Sequence, residues 1–211
     1  MSTLDVLTVV VLAFVGVRIA SGTRIALTGR GRRRIIEIVR GLRVVHFALA
    51  IPALFCVLVA VIVLLQIPGL DWGWWTAIGG LGNPVTGGTE RTSGTVLEWL
   101  VPLVFVVMLL PALPLFAEAE ERMFRLGAET RTPAGRFRRA VKFGLAHAIV
   151  GIPIGAALGL SVGGLYFTRR YMRVFKATGD PQQAMLESTR CHLAYNAVVV
   201  LIVIIAFIVP A

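Results

Sequence analysis

Residues 118–125 read Glu-Ala-Glu-Glu-Arg-Met-Phe-Arg and close an apolar run, Val96 to Ala117, that is long enough to cross a bilayer. Three carboxylates and two guanidiniums at the end of such a segment are expensive unless they face protein, water or the interface. Two readings are open at this point. The charges mark the membrane surface, as charges at the ends of spanning helices do, or they belong to a polar site inside a helical bundle.

The surrounding composition sets the class. The chain has 211 residues, of which 57% are hydrophobic and 15% charged, well below the roughly 25% charged residues of a soluble domain. Mean hydropathy is +0.83. The expectation is an all-α fold: a single polytopic membrane domain, residues 1–211, of about six transmembrane or partly inserted helices. Residues 1–95 form two N-terminal helices and an outer loop, and residues 96–211 carry the candidate chemistry. The formal net charge of +10 falls in short segments between apolar runs, which argues for the positive-inside rule and against nucleic acid. Anionic lipid is a possible secondary partner.

The apolar run Leu4 to Ala20 lacks a positive n-region and a clear cleavage site, and reads as a retained helix. Arg18 to Arg43 interleaves arginines with Ile35, Ile36, Ile38, Val39 and Leu42. It is either an amphipathic interfacial helix or a plain cytoplasmic loop. The second span, Val44 to Leu70, contains Pro52, and His46 near its end reads as an interfacial side chain. Asp71 to Trp75 looks like an aromatic belt, and Gly79 to Gly94 like an outer loop. The third span runs from about Thr95 into the Glu118 cluster, with Pro111 and Pro114 distorting its last turns. Thr132-Pro133 reads as a helix start that carries Phe143 to Val150 into the membrane, a short segment ending near Gly151 and Pro153. Ile152 to Phe167 has Gly155, Gly159 and Gly163 on one face, suited to close internal packing. A turn at Gly179-Asp180-Pro181 opens the last helix, to Val209. Basic segments after the first, third and fifth spans put those ends in the cytoplasm and both termini outside a cell membrane. Cys56 and Cys191 lack metal-ligand spacing and read as small buried hydrophobes.

Three sets of polar residues are hard to explain as topology markers. Glu121 and Arg125 are one helical turn apart and can pair, leaving Glu120 free to point elsewhere. Phe143 and His147 share a face, as do His192 and Asn196. Each has a plain structural explanation: a helix-stabilising pair, a hydrogen-bonded core histidine, interhelical glue. Together they supply what hydrolysis needs, a base, a partner that helps hold water, and donors for an oxyanion. Two histidines and a glutamate can also bind zinc with one position open, although the chain has no His-Glu-x-x-His helix.

Glu120-Glu121-x-x-x-Arg125, Phe143-x-x-x-His147 and His192-x-x-x-Asn196, in that order on separate segments, resemble the three motifs of the CPBP family. These are the CAAX-protease and bacteriocin-processing (ABI) membrane proteins, which include the type II CAAX prenyl endopeptidases. The resemblance covers about half of the chain. It implies an intramembrane, glutamate-dependent endopeptidase that needs no metal and acts on a peptide or membrane-protein substrate near the cytoplasmic face. By it, Glu120 is the general base, His147 orients water, His192 and Asn196 stabilise the oxyanion, and Glu121, Arg125 and Phe143 support them. Leu126 separates Arg125 from Gly127, where the family often has Arg-Gly, and the short chain argues against a prenylated substrate. A non-enzymatic immunity or partner-anchoring protein on the same scaffold is the alternative, and a small proton-relay transporter is a third class. Oligomeric state is left open.

Overall fold

The computed structural model describes residues 3–74, 82–83, 88–89 and 94–208, and those residues are almost entirely helical. In chain order the helices are α1 Thr3–Leu27, α2 Gly29–Arg40, α3 Val44–Leu65, α4 Leu97–Leu109, α5 Leu113–Phe124, α6 Pro133–Ala146, α7 Ile154–Thr178 and α8 Pro181–Ile208. Short 3-10 turns at Ala128–Thr130 and His147–Val150 flank α6. The expected outer loop falls mostly outside the described residues. Its described parts, Gly82–Asn83 and Gly88–Thr89, pair as a two-residue antiparallel ladder.

Among the described residues, three helices are long and apolar enough to cross a membrane: Val9–Leu27 of α1, Val44–Leu65 of α3 and Pro181–Ile205 of α8. Counting α4 and α5 as one broken span makes four. Large apolar side chains such as Phe14, Ile51, Phe55, Ile62, Val107 and Leu201 are exposed along these helices. Water would penalise so much uncovered apolar surface, whereas lipid would not.

The elements follow from local chemistry. Thr132 caps α6, its hydroxyl accepting from the Gly135 N–H at 3.2 Å, with Pro133 at the first helical position. Gly179, at φ +70°, ends α7, and the Asp180 carboxylate then accepts the Gln182 N–H at 2.7 Å to open α8. The arginine-rich segment after α1 is a true amphipathic helix. In α2, Thr28 caps the first turn and Ile38 is buried against Leu113, Ala117 and Leu193, while the arginines at 30, 32, 33 and 40 stay outside. α1 continues past Ala20 to Leu27.

The expected third span is corrected. It is two helices bent by 73°. Pro111 has no N–H to continue the ladder, and Ala112 N–H bonds back to the Leu109 carbonyl instead of to Met108. The freed Met108 carbonyl accepts from the Thr23 hydroxyl of α1 at 3.0 Å. The Glu118 cluster therefore rides on a separate helix, α5, whose own first turn carries Pro114.

Helix α7 is the centre of the bundle, packed against α3, α6 and α8. A Cβ at Gly159 would lie 2.5 Å from a Val61 methyl of α3, and one at Gly144 of α6 would strike the Ala157 carbonyl oxygen. Small residues thus bring α7 nearly backbone to backbone with its neighbours, the internal-packing use expected of its glycines. Phe124, Phe143, Phe167 and Tyr195 fill the space where α5, α6, α7 and α8 meet.

Candidate active site

Glu121, on the inner face of α5, is fully buried. Its Oε1 lies 2.9 Å from Nδ1 of His192, and its Oε2 accepts from the Ser188 hydroxyl, both on α8. Ser188 and His192 are one turn apart, so α8 presents both donors to one carboxylate. Arg125, also fully buried, places Nη1 3.5 Å from Glu121. Its guanidinium carbon lies 4.0 Å above the Phe143 ring and 5.3 Å from that of Phe167. This is the Glu121–Arg125 pairing expected from the sequence. Its guanidinium otherwise relies on aromatic faces, since none of the three guanidinium nitrogens makes a hydrogen bond to the described residues.

The imidazole of His192 is held on every side. Phe167 stacks on it at 4.2 Å and 21°, Phe143 meets it edge-on at 5.7 Å, and Glu121 takes its Nδ1–H. That hydrogen bond fixes the tautomer and turns Nε2 toward Glu120, whose Oε2 is 3.6 Å away. The separation exceeds a hydrogen bond. Glu120 Oε2 is buried without a hydrogen-bond partner among the described residues, although the side chain as a whole is 36% exposed. The result is a row of carboxylate, imidazole and carboxylate with one anchored end and one free end.

The remaining expected residues stand around this row. His147 caps α6, its Nδ1–H donating to the Phe143 carbonyl at 2.9 Å, which leaves the Nε2 lone pair unengaged. Its ring meets Phe143 edge-on at 5.0 Å, so Phe143 contacts both imidazoles. Asn196 is half-buried one turn beyond His192 and its amide makes no hydrogen bond to the described residues. No side-chain hydrogen bond or ring contact joins His147 or Asn196 to Glu120 or His192 among those residues. Nor do Glu120, His147 and His192 present ligand atoms close enough together for one metal ion.

Three features were outside the sequence reading. Ser188 gave no signal beyond its place one turn before His192. Glu118, first in the charged stretch, is turned away from the site. Arg34 of α2 grips it through Nε at 3.0 Å and Nη2 at 2.8 Å, and Arg122 adds a contact at 3.2 Å. The Glu118 hydrogen bond holds the Arg34 guanidinium pKa above its ordinary value. His46 is corrected from interfacial to fully buried. Its Nε2 meets Glu187 at 2.9 Å, and Arg43, Arg170 and Arg190 approach the same carboxylate at 3.3, 3.4 and 3.6 Å.

His46, Glu187 and Cys191 bring possible ligand atoms within 4.8 Å of one another. The donor set argues against a metal there. His46 Nδ1 accepts the Arg43 backbone N–H at 2.8 Å, so the proton of the neutral ring is on Nε2 and is given to Glu187. Three guanidiniums around the same carboxylate would also repel a cation. Cys191 is buried as expected, whereas Cys56 is exposed on α3, which corrects the expectation of a buried side chain there.

No family model, curated protein or solved structure matches this chain.

Proposed function

We propose that the chain is a multi-pass membrane protein of about six spanning or partly inserted helices and that it acts as an intramembrane endopeptidase of the CPBP kind. In this reading the basic segments are cytoplasmic and both termini outside. The observation that carries it is the division of labour around His192. Glu121 holds the ring from behind and is itself held by Ser188 and Arg125, while Glu120, His147 and Asn196, the groups expected to meet water and substrate, keep free atoms. Peptide hydrolysis then runs as follows. Glu120 takes a proton from water, assisted by the lone pair of His147 Nε2, and the hydroxide oxygen bonds to the peptide carbonyl carbon. The tetrahedral oxyanion is met by the Asn196 amide N–H and by His192, which donates from Nε2 only when that nitrogen carries a proton in addition to the Nδ1–H given to Glu121. Collapse breaks the C–N bond, and Glu120 returns the proton to the leaving amine.

The test is to reconstitute the purified chain with membrane proteins and identify newly formed N-termini by mass spectrometry. Glu120→Gln should lower their formation at least about 100-fold, the lower range for loss of a general base. Products formed equally by wild type and Glu120→Gln would sink the reading. One observation favours the alternative, a non-enzymatic immunity or partner-anchoring protein: among the described residues the side chains of His147 and Asn196 make no hydrogen bond to Glu120 or His192. Catalytic hydrogen bonds are often long before substrate binds, so the Glu120→Gln comparison separates the two.

A further inference from the structure

Between α3 and α7, on the bundle surface, lies an open groove of about 530 Å³. Leu49, Ala53 and Cys56 of α3 form one wall, and Val162 and Leu165 of α7 face them. Leu165 and Cys56 are exposed, so the floor is open to whatever surrounds the bundle. One to two turns along α7 the lining changes to Arg169, Arg170 and Arg173. A second cavity of about 570 Å³ shares Leu49, Arg170 and Arg173 and extends the basic end toward Arg43.

The charges at that end are unbalanced. The carboxylate lining it is Glu187, already engaged by His46, Arg43, Arg170 and Arg190. Arg169 and Arg173 are exposed and have no acidic partner among the described residues. Tyr166 Oη and Arg170 Nε are buried at the same wall and make no hydrogen bond of normal geometry, the Cys191 thiol beside them being a weak partner. The apolar track offers no groups to pair with a peptide backbone, whose N–H and C=O would be stranded there. An alkyl chain has no such need.

We infer that this groove binds an anionic phospholipid, with an acyl chain along Leu49, Ala53, Cys56, Val162 and Leu165 and the headgroup phosphate at Arg169, Arg170 and Arg173. The volume is within the roughly 300–1,000 Å³ of ordinary ligand sites. Tyr166, at the groove, is adjacent to Phe167, which stacks on His192. A bound lipid therefore bears on the turn of α7 that holds the candidate active site. The inference rests on the membrane placement proposed above and is independent of the peptidase reading.

The experiment is native mass spectrometry of the full chain released from mild detergent after exposure to equal amounts of phosphatidylglycerol and phosphatidylcholine. The expected result is preferential retention of phosphatidylglycerol. Arg169→Ala/Arg173→Ala should weaken that retention about 30-fold, the effect of removing two guanidiniums from an anionic surface contact. Ala53→Trp, which fills the track but leaves every charge, should abolish it. Equal retention of the two lipids, or unchanged retention by the double variant, would overturn the inference. So would displacement by glycerol phosphate, which would reduce the groove to a site for free anions. Thermal melts of both variants identify a folding defect, and if either variant is unfolded the lipid preference of the wild type decides alone. Extraction of native membranes with alkaline carbonate tests membrane placement separately, since a chain released by it would fail that reading whatever lipid it bound.

Discussion

Removing the Glu121 side chain should be among the most damaging single changes in the chain. Glu121→Ala takes away the acceptor for His192 and Ser188 and the carboxylate nearest Arg125. Interhelical hydrogen bonds inside a membrane protein average only about 0.6 kcal/mol, with a maximum near 1.7. Two of them account for about 1 kcal/mol. Arg125 is different, because it is fully buried and has no hydrogen bond to fall back on. Stranding one partner of a buried ion pair costs about 3–5 kcal/mol. The expected loss is therefore about 4–6 kcal/mol, mostly from the orphaned guanidinium. The assay is reversible unfolding in mixed micelles titrated with denaturing detergent. The control is Glu121→Ala/Arg125→Met, which removes the stranded charge and should recover about 0.5–3 kcal/mol relative to Glu121→Ala, the range of coupling between contacting groups. A loss below about 1.5 kcal/mol, or no recovery in the double variant, would mean that hydrogen bonds rather than a buried charge hold this site, and the reasoning would be wrong.

Ser188→Ala removes one neutral donor and should lower stability by only about 0.6 kcal/mol in the same titration. Asn196→Ala, if the amide faces an oxyanion, should reduce turnover about 100- to 1,000-fold with little change in the unfolding midpoint. Gly159→Leu should cost roughly 1–3 kcal/mol or more by thermal melt, because its Cβ alone meets a Val61 methyl at 2.5 Å. For α2, Arg34→Ala should speed tryptic cleavage at the exposed arginines 32 and 33. The raised Arg34 pKa keeps that side chain's contribution at full strength up to the ordinary guanidinium range and loses it only above. Raising the pH from 7 to 10 should accordingly leave the cleavage rate unchanged once trypsin's own pH dependence is corrected for.

Local chemistry was legible in the sequence wherever cause and effect are neighbours in the chain. Thr132-Pro133 and Gly179-Asp180 mark helix ends through groups within three residues of one another, and the i,i+4 spacing placed Glu121 against Arg125. The prolines at 111 and 114 announced a distortion but not its size, because the angle depends on what packs against the broken end. The long-range partnerships were not legible at all. Nothing near His46 points to Glu187, 141 residues away, and Glu118 gives no hint that its partner is Arg34 rather than the groups around His192. Ser188 was missed for the same reason: a serine on a helix becomes informative only when the helix facing it is known to carry a buried carboxylate.

The hydrogen bond from Thr23 to the Met108 carbonyl changes how the molecule should be divided. In the membrane placement proposed above a bare carbonyl meets no solvent, so the fracture between α4 and α5 needs a splint, and α1 supplies it. Residues 96–211 carry every motif residue, yet a fragment limited to them would leave that fracture open, and would lose the grip of Arg34 on Glu118 and of His46 on Glu187 as well. The first three helices, α1 to α3, are therefore structural members rather than a detachable anchor. Domain grafts that keep only the motif-bearing half should be built with a replacement donor at the position of Thr23.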